Sequence, residues 1–328
     1  MLTIVFDGAA LGDGPLTGVG RAFWSGLQAY AANTPHTCVL LVPSGAQVEA
    51  PSGVRCVAAP RGAFWRQLAL PRLLRSLRAD LLHSCVAAVP LRAACPTIAT
   101  AHDLPWLHPE LGEPSSAWRR FATVRALRAA TAVVAPSRFT ATDVARAARR
   151  RDVRVIRHGT PLAACSDANA RHGPFLVLGD ARPRKNLDRV RAAHAQARQL
   201  DPSLPDLQLV GPDHTWVDEA HKHTLLANCR ALVHCALFEG FGLPVLEGLA
   251  HGAPVVCSDL PPLREIAGEH AQFVDPRSID AIAAALLEVH QDLELRLRLA
   301  MPGWRRAQQY PPERVGLAWR QMHEQVAR

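Results

Sequence analysis

Apolar residues along the chain fall into two kinds of run. Short unbroken runs, LTIVFD (2–7), CVLLVP (38–43), LLHSC (81–85), TIATAH (97–102) and AVVAPS (132–137), alternate with longer Ala-, Leu- and Arg-rich runs, among them GRAFWSGLQAYAA (20–32) and FTATDVARAARR (139–150). A strand that is apolar at successive positions, rather than at every second one, has both faces covered. Interleaved with helices, such strands predict a parallel sheet with helices packed on both sides.

The pattern then restarts. VRVIRHGTPL (153–162) ends in a Gly-Thr-Pro turn, and the polar stretch AACSDANARHG (163–173) reads as a linker. FLVLGD (175–180) opens a second series, followed by a helix from about Asn186, LQLVG (207–211), a helix over 219–229 and ALVHCA (231–236). A helix from 243, PVVCS (254–258) and AQFVD (271–275) complete it, and the rest reads as helical with breaks at Pro302-Gly303 and Pro311-Pro312. The expectation is two tandem Rossmann-like doubly wound α/β domains, over 1–162 and 163–308. A terminal helix over 309–328 is expected to pack back on the first domain. The length of 328 residues suits two domains of roughly 150 each. Such sheets bind ligands at the carboxyl ends of their strands, so a ligand shared by the domains is expected in a cleft that both face.

No apolar run approaches the ~20 residues that cross a bilayer. The opening MLTIVFDGAALGDG lacks a basic leader region and reads as a strand, not a signal peptide. The eight cysteines are scattered without a C-x-x-C pair, which fits small apolar filler in a reducing, cytoplasmic setting.

Charge changes the picture more. Residues 1–165 hold 19 arginines, no lysine and 9 acidic residues, so the whole excess of +8 lies in the first half. Arg61, Arg66, Arg72, Arg75 and Arg78 form one cluster. Arg119, Arg120, Arg125 and Arg128 form another, in a predicted helix with Trp118 and Phe121. A one-sided basic surface suits an anionic membrane face or a phosphorylated acceptor. An arginine-rich genome would give the same count, and both readings stand at this level. No nucleic-acid partner is expected, because zinc-finger spacing and an aromatic-basic RNA signature are both missing.

The most specific stretch is FEGFGLPVLEGLAHGAPVVCSDLPPLREIAGE (238–269), in which seven residues separate Glu239 from Glu247. Gly240 and Gly242 leave backbone N–H groups unobstructed, and Pro244 suits the first turn of a helix. Together they predict an anion site. Alone, Glu247 reads as a complement to the helix dipole and Glu239 as surface. As a pair they would repel an anion unless hydroxyl donors occupied each. A phosphate flanked by polyols at both ends meets all three demands, which describes a nucleotide sugar.

This stretch closely resembles the Glu-x7-Glu signature of retaining GT-B glycosyltransferases of family 4, and the likeness runs along nearly the whole chain. GVGRAFWSGLQAY (18–30) is similar to the family's glycine loop and first helix. TIATAHDLPWLHPE (97–110) resembles its His-Asp strand end, AVVAPSRFTATDVAR (132–146) the segment after it, and VIRHGT (155–160) its domain opening with His158 in place of Asn. FLVLGDARPRKNLDRV (175–190) resembles the diphosphate-binding strand and Lys-Asn turn. The resemblance implies that Glu239 contacts the donor sugar, Glu247 binds ribose hydroxyls and His102 lines the sugar pocket. Lys185, with Arg182 or Arg184, would neutralise the diphosphate. The turn Gly240, Phe241, Gly242 and Leu243 would cradle it, and Gly18 and Gly20 would allow close backbone approach to donor or acceptor. The family departs here in two ways: Asp180 stands where an arginine is usual, and the interval from Gly179 to Glu239 is short.

Lys185 and Lys222 are the only lysines. In a chain that otherwise uses arginine, Lys185 suggests a place that needs a compact ammonium, whereas Lys222, in DEAHKHT, reads as a solvated helix face. His221 and His223 beside Asp218 and Glu219 lack zinc spacing. Trp304 and Trp319 read as packing residues. No D-x-D occurs, and the resemblance implies neither metal nor other cofactor. The expected function is retaining, metal-independent transfer of a hexose, with a lean to mannose, from a nucleoside diphosphate sugar to a glycan or lipid-linked glycan. The alternatives are an inactive nucleotide-sugar-binding partner subunit and a GT-B nucleotide-sugar epimerase. A nicotinamide dehydrogenase would need a G-x-G-x-x-G with a downstream ribose carboxylate.

Overall fold

The computed structural model describes residues 1–327 except 13–15, 47, 61, 63 and 166–170. Arg61 of the first basic cluster and residues 166–170 of the linker therefore lie outside the described residues. The chain forms two compact units: Met1–His108, Pro114–Gly159 and Pro312–Arg328 in the first, Pro109–Glu113 and Thr160–Pro311 in the second.

The first unit is built from β1 (Thr3–Asp7), α1 (Gly18–Ala32), β2 (Thr37–Pro43), β3 (Val54–Ala59), α2 (Trp65–Leu68), α3 (Leu70–Ser76), β4 (Leu81–Ser84) and β5 (Thr97–Thr100), followed by α4 (Ala117–Ala129), β6 (Ala132–Ala135), α5 (Arg138–Ala148) and β7 (Val153–Val155). Its seven strands are parallel in the order β3-β2-β1-β4-β5-β6-β7. The period-two rule decides which residues meet which layer. Ile4, Phe6, Leu40 and Leu81 pack with Phe23 and Leu27 of α1, while Val5, Val39, Leu41 and Leu82 pack on the other face with Leu70 and Leu74 of α3. Helix starts are set locally by hydroxyl caps: Thr17, Ser116 and Ser137 accept from Gly20, Arg119 and Thr140. β3 has no counterpart among the expected strands, because it is a sheet edge and its side chains are largely exposed.

The second unit comprises β8 (Phe175–Leu178), α6 (Leu187–Leu200), β9 (Leu207–Val210), α7 (Glu219–Asn228), β10 (Ala231–His234) and α8 (Leu243–Ala250), then β11 (Val255–Ser258), α9 (Pro261–Ala267), β12 (Gln272–Val274), α10 (Ile279–Gln291) and α11 (Leu293–Ala307). Its five parallel strands run β12-β11-β10-β8-β9. Alternate residues again serve opposite faces, Leu176, Leu232 and Val255 towards α8 and α9, and Phe175, Val233 and Val256 towards α6 and α10. From β8 the chain moves outward to β9, then crosses back to β10 on the other side of β8. The switch point therefore lies between β8 and β10, where a doubly wound sheet opens a crevice at its carboxyl edge.

The break expected at Pro302-Gly303 does not occur, and α11 runs through both residues. Close packing accounts for the glycine, since a Cβ on Gly303 would lie 2.7 Å from Leu249 Cδ2 of α8. The break at Pro311-Pro312 is present. After it, α12 (Pro312–Val326) packs in the first unit, where Trp319 and Val315 crowd Gly26 of α1. Trp304 does more than pack, because its indole N–H donates to Ala163 O at 2.8 Å.

Candidate active site

The switch point of the second unit gathers charge. After β8 the chain makes a single 3-10 turn over Pro183–Lys185, closed by Asn186 in the left-handed region at φ 61°. An asparagine tolerates that conformation better than most residues. Its side-chain amide donates to Cys235 O at 2.9 Å and Pro276 O at 2.7 Å, which pins the turn against the end of β10. Lys185 is thereby aimed at Glu239, the fifth residue beyond β10, and its Nζ lies 2.5 Å from Glu239 Oε1. His234 Nε2, at the last position of β10, reaches the same oxygen at 3.0 Å. A carboxylate only accepts, so His234 carries its proton on Nε2. Burial works to raise the Glu239 carboxyl, but Lys185, His234 and Arg184 outweigh it and hold the group well below the ordinary range.

Glu247 is the fifth residue of α8 and is buried. Its Oε1 accepts from Lys222 Nζ at 2.9 Å, and Lys222 also meets Glu219 at 2.6 Å. The expectation that Lys222 is a solvated surface residue is wrong: it is 5% exposed. The reason is the opposite charge beneath it, since a buried ammonium is tolerated where a carboxylate meets it. The two lysines of the chain thus hold the two glutamates of the motif, one each. Beside them, His223 Nδ1 lies 2.7 Å from His251 Nε2, and His251 Nδ1 donates to Glu247 O at 2.8 Å. His223 is therefore engaged by a second imidazole while remaining on the exposed face of α7.

Between the glutamates, Gly242 has φ +103°, and a Cβ there would fall 2.3 Å from Leu263 Cδ2, so conformation and space both demand glycine. The first turn of α8 follows with Pro244 in it. The side chains of Phe241 and Leu243 point into or against the hydrophobic core. Their contribution to a ligand is therefore limited to backbone N–H groups. Gly240 is buried in the same turn.

The two arginines differ. Arg184 is buried, with Nε 3.7 Å from Glu113 Oε1. Arg182 is exposed and forks onto Asp180, at 2.9 Å from Nε and 2.5 Å from Nη2. Burial acts to raise the Asp180 carboxyl, but the Arg182 hydrogen bonds and nearby Lys185 leave it lowered. Asp180 occupies the arginine that stands nearest to it, so Arg184 and Lys185 are the basic groups directed inward.

The remaining expected residues lie in the first unit. His102 follows β5, with Nε2 donating to Cys85 O at 2.8 Å and Nδ1 lying 3.2 Å from His158 Nε2. The two rings stack at 5.2 Å, and burial lowers both pKa values, so both are neutral at pH 7. Gly18 and Gly20 are not in a loop but in the first turn of α1. A Cβ on Gly20 would stand 2.9 Å from Ala10 O, so close backbone packing explains it, whereas Gly18 faces open space. At this sheet's own switch point, between β1 and β4, buried Asp7 accepts from Arg66 Nε at 2.8 Å and Ser84 Oγ at 3.4 Å.

His234 escaped the sequence reading, Asn186 entered it only as part of the Lys-Asn turn, and Lys222 was read as surface. The scarcity of lysine, which drew attention to Lys185, applied equally to Lys222. Nothing local marked His234, which acts through a partner five residues on. Apart from this site, α4 carries Trp118 and Phe121 at 63% and 57% exposure, their ring centroids 5.9 Å apart, among exposed Arg119, Arg120, Arg125 and Arg128. No helix of the described residues is long and apolar enough to cross a membrane.

Residues 18–164 match the family model described as Glycosyltransferase Family 4, and residues 210–303 match Glycosyl transferases group 1. The chain is 40% identical over 86 residues to O-antigen chain mannosyltransferase B of Escherichia coli, a stretch covering 26% of this chain and 23% of that protein. The chain thus spans under a quarter of the length of that relative. Among solved structures it resembles sucrose-phosphate synthase of Thermosynechococcus elongatus, with TM-score 0.83, 17% identity and 99% of each chain covered. HepE of Anabaena, crystallised with UDP and glucose, gives TM-score 0.71 at 16% identity, over 99% of this chain and 100% of that one. These likenesses establish a GT-B fold.

Proposed function

Because the chain belongs to the glycosyltransferases, with a family 4 segment in its first half and a group 1 segment in its second, we propose that it moves a hexose from a nucleoside diphosphate sugar to a hydroxyl of a glycan or lipid-linked glycan. Transfer retains the anomeric configuration and needs no metal ion. The observation that carries this reading is the meeting of Lys185 and Glu239 at the switch point between β8 and β10, beside the glycine turn that opens α8. Mannose is the favoured sugar, on the likeness to an O-antigen mannosyltransferase.

In this reading the diphosphate lies on the backbone N–H groups of the 240–244 turn, with Lys185 and Arg184 as counter-charges. Lys185 spends one donor on Glu239 and has two more for phosphate oxygens. Glu239 receives a hydroxyl of the sugar and Glu247 the ribose hydroxyls. The acceptor oxygen attacks the anomeric carbon from the face the diphosphate leaves. The bond from that carbon to the phosphate oxygen breaks, and the departing oxygen takes the acceptor's proton. The protein's contribution is then electrostatic stabilisation of the leaving diphosphate, the kind of term worth ~10²–10³ in rate for one well-placed donor. His102 is neutral and both of its ring nitrogens are engaged, by Cys85 O and by His158, so it supplies neither a counter-charge nor a free hydrogen-bonding nitrogen. Exposed Trp118, Phe121 and the arginines of α4 support an acceptor carried on an anionic membrane face.

The test is transfer from GDP-mannose and from UDP-glucose, in EDTA, to lipid-linked oligosaccharide extracts, with the product anomer read by NMR. Glu239→Ala and Glu247→Ala should each abolish transfer with circular dichroism unchanged. Normal turnover in both variants, or an inverted anomer, would overturn the proposal.

A further inference from the structure

Lys222 is the least expected charge in the molecule. The chain carries 37 basic residues, only two of them lysine, and each lysine is ion-paired with one of the two glutamates of the motif. The Lys222–Glu247 pair is the more enclosed, with side chains 6% and 7% exposed. Burying both charges costs several kcal/mol of desolvation before their attraction is counted. A leucine on that face of α7 would fill space without the cost, so the pair has to be explained by what it holds.

Three features point to what that is. α7 begins at a firm cap, Asp218 accepting from His221 N at 2.7 Å, so the helix carrying Lys222 has a fixed start. Lys222 is the fourth residue of α7 and reaches across to the first turns of α8, where Glu247 sits behind the 240–244 turn. Glu247 is held from its backbone as well, through His251 and then His223. The residue is therefore held at two points, its carboxylate Oε1 by Lys222 and its backbone carbonyl by His251. Glu219, the other partner of Lys222, is largely exposed and adds little.

We propose that Lys222 is a positioning residue for donor binding: its ion pair holds the buried Glu247 carboxylate in one rotamer, ready to accept the paired hydroxyls of the donor ribose. The inference rests on the donor-site reading above. It also accounts for the residue type. An ammonium places three N–H donors on a single atom, which here meets Glu247 and Glu219 together, whereas a guanidinium spreads its donors over a planar fork. It further resolves how two carboxylates can flank an anion site. Each is charge-matched by its own lysine, so diphosphate meets two neutralised pairs and not two bare acids.

The experiment is a double-mutant cycle on the full chain, Lys222→Met, Glu247→Gln and both together. Binding of GDP and of UDP is read by calorimetry and folding by circular dichroism. Lys222→Met should weaken the nucleotide that binds by on the order of tenfold to a hundredfold, less than removing a charge paired directly with the ligand would, because Lys222 acts only through Glu247. The double variant should bind no more weakly than Glu247→Gln alone, because Lys222 acts through Glu247. In turnover, KM for the donor should rise with kcat nearly unchanged. If Lys222→Met fails to fold, Lys222→Gln, which keeps a donor and drops the charge, takes its place in the cycle. Wild-type affinity in the Lys222 variant with loss in Glu247→Gln would overturn the positioning role and leave the donor site standing. Losses that simply add would overturn it too. If Glu247→Gln binds normally, or the wild type binds neither nucleotide, the donor-site reading falls and this inference falls with it.

Discussion

Lys185 Nζ and Glu239 Oε1 lie 2.5 Å apart, although 54 positions separate the residues in the chain. Their meeting is a product of topology, since β8 and β10 are neighbours in the sheet with β9 displaced to its edge. Removing the ammonium strands a buried carboxylate. Lys185→Ala should therefore cost about 3 kcal/mol of stability at pH 7 and lower transfer by ~10²-fold or more. The stability loss should itself depend on pH. The Glu239 carboxyl titrates well below 4.5 in the folded chain, so the pair's contribution is complete above about pH 4.5. It is lost as pH falls through the folded value. Urea unfolding of wild type and variant at pH 7 and pH 3 checks this, and a difference that grows on acidification would contradict it.

A second pH effect runs through histidines. Tyr30 OH, His323, His83 and Thr100 Oγ1 form a buried chain with successive separations of 3.0, 3.0 and 3.1 Å. Burial lowers His83 to about 3 and His323 well below 6.5, with His102 and His158 lowered likewise. These rings bind protons when unfolded and resist them when folded. Stability is then full above about pH 6.5 and is lost on acidification towards pH 3, by up to about 1.4 kcal/mol per pH unit for each ring. Replacing His83 with Asn should flatten that slope whatever it does to stability at pH 8. Guanidinium melts across pH 8 to 4 give the slope, and an unchanged slope would rule the mechanism out.

How much of this was legible in advance follows from where each interaction lies in sequence. The strands were readable because burial on both faces makes them apolar throughout, and β3 was not, because an edge strand need not be. The turn holding Gly242 was readable because a positive φ leaves few residue types. The ion pairs were not. Lys222 looked like surface because its neighbours on α7 are polar, and only the arrival of α8 beneath it reverses that. Pro302 read as a break because local sequence carries no trace of the α8 surface against which α11 is pressed.

Arg171 is a further case of long-range satisfaction. It is fully buried, and among the described residues its guanidinium meets the carbonyls of Leu226, Cys229 and His251 and no carboxylate. Those carbonyls lie at the C-terminal ends of α7 and α8, where the last turns of a helix leave acceptors unfilled. Arg171→Met keeps the apolar bulk and removes the donors, so unfolding should come about 3 kcal/mol earlier, at roughly 1–3 kcal/mol for each stranded group. Nucleotide affinity should suffer alongside, since α7 and α8 carry Lys222 and Glu247. Stability equal to wild type in chemical denaturation would show that water replaces the guanidinium.

The arginines of α4 answer to a different experiment. Its sequence AWRRFATVRALRA contains four arginines and no acidic residue, and Trp118 and Phe121 stand exposed one turn apart. Indole and phenyl rings favour the boundary between headgroup and acyl chain, while each arginine near an anionic surface adds ~1 kcal/mol at physiological salt. The charged share of that attraction fades within a Debye length, so binding to phosphatidylglycerol vesicles should weaken sharply between 0.1 and 0.5 M salt, on the order of tenfold. Trp118→Ala with Phe121→Ala should weaken binding at every salt concentration and preserve the salt slope. Arg119→Glu, Arg120→Glu and Arg125→Glu together should remove the slope itself. Co-sedimentation measures both, with neutral phosphatidylcholine vesicles as reference. If α4 brings the protein to a lipid-linked acceptor, the aromatic double variant should also lose the proposed transfer to acceptor embedded in vesicles while GDP or UDP still stabilises it as in wild type. Salt-insensitive binding, or full transfer without the two rings, would sever α4 from the acceptor and leave its charge to genome composition.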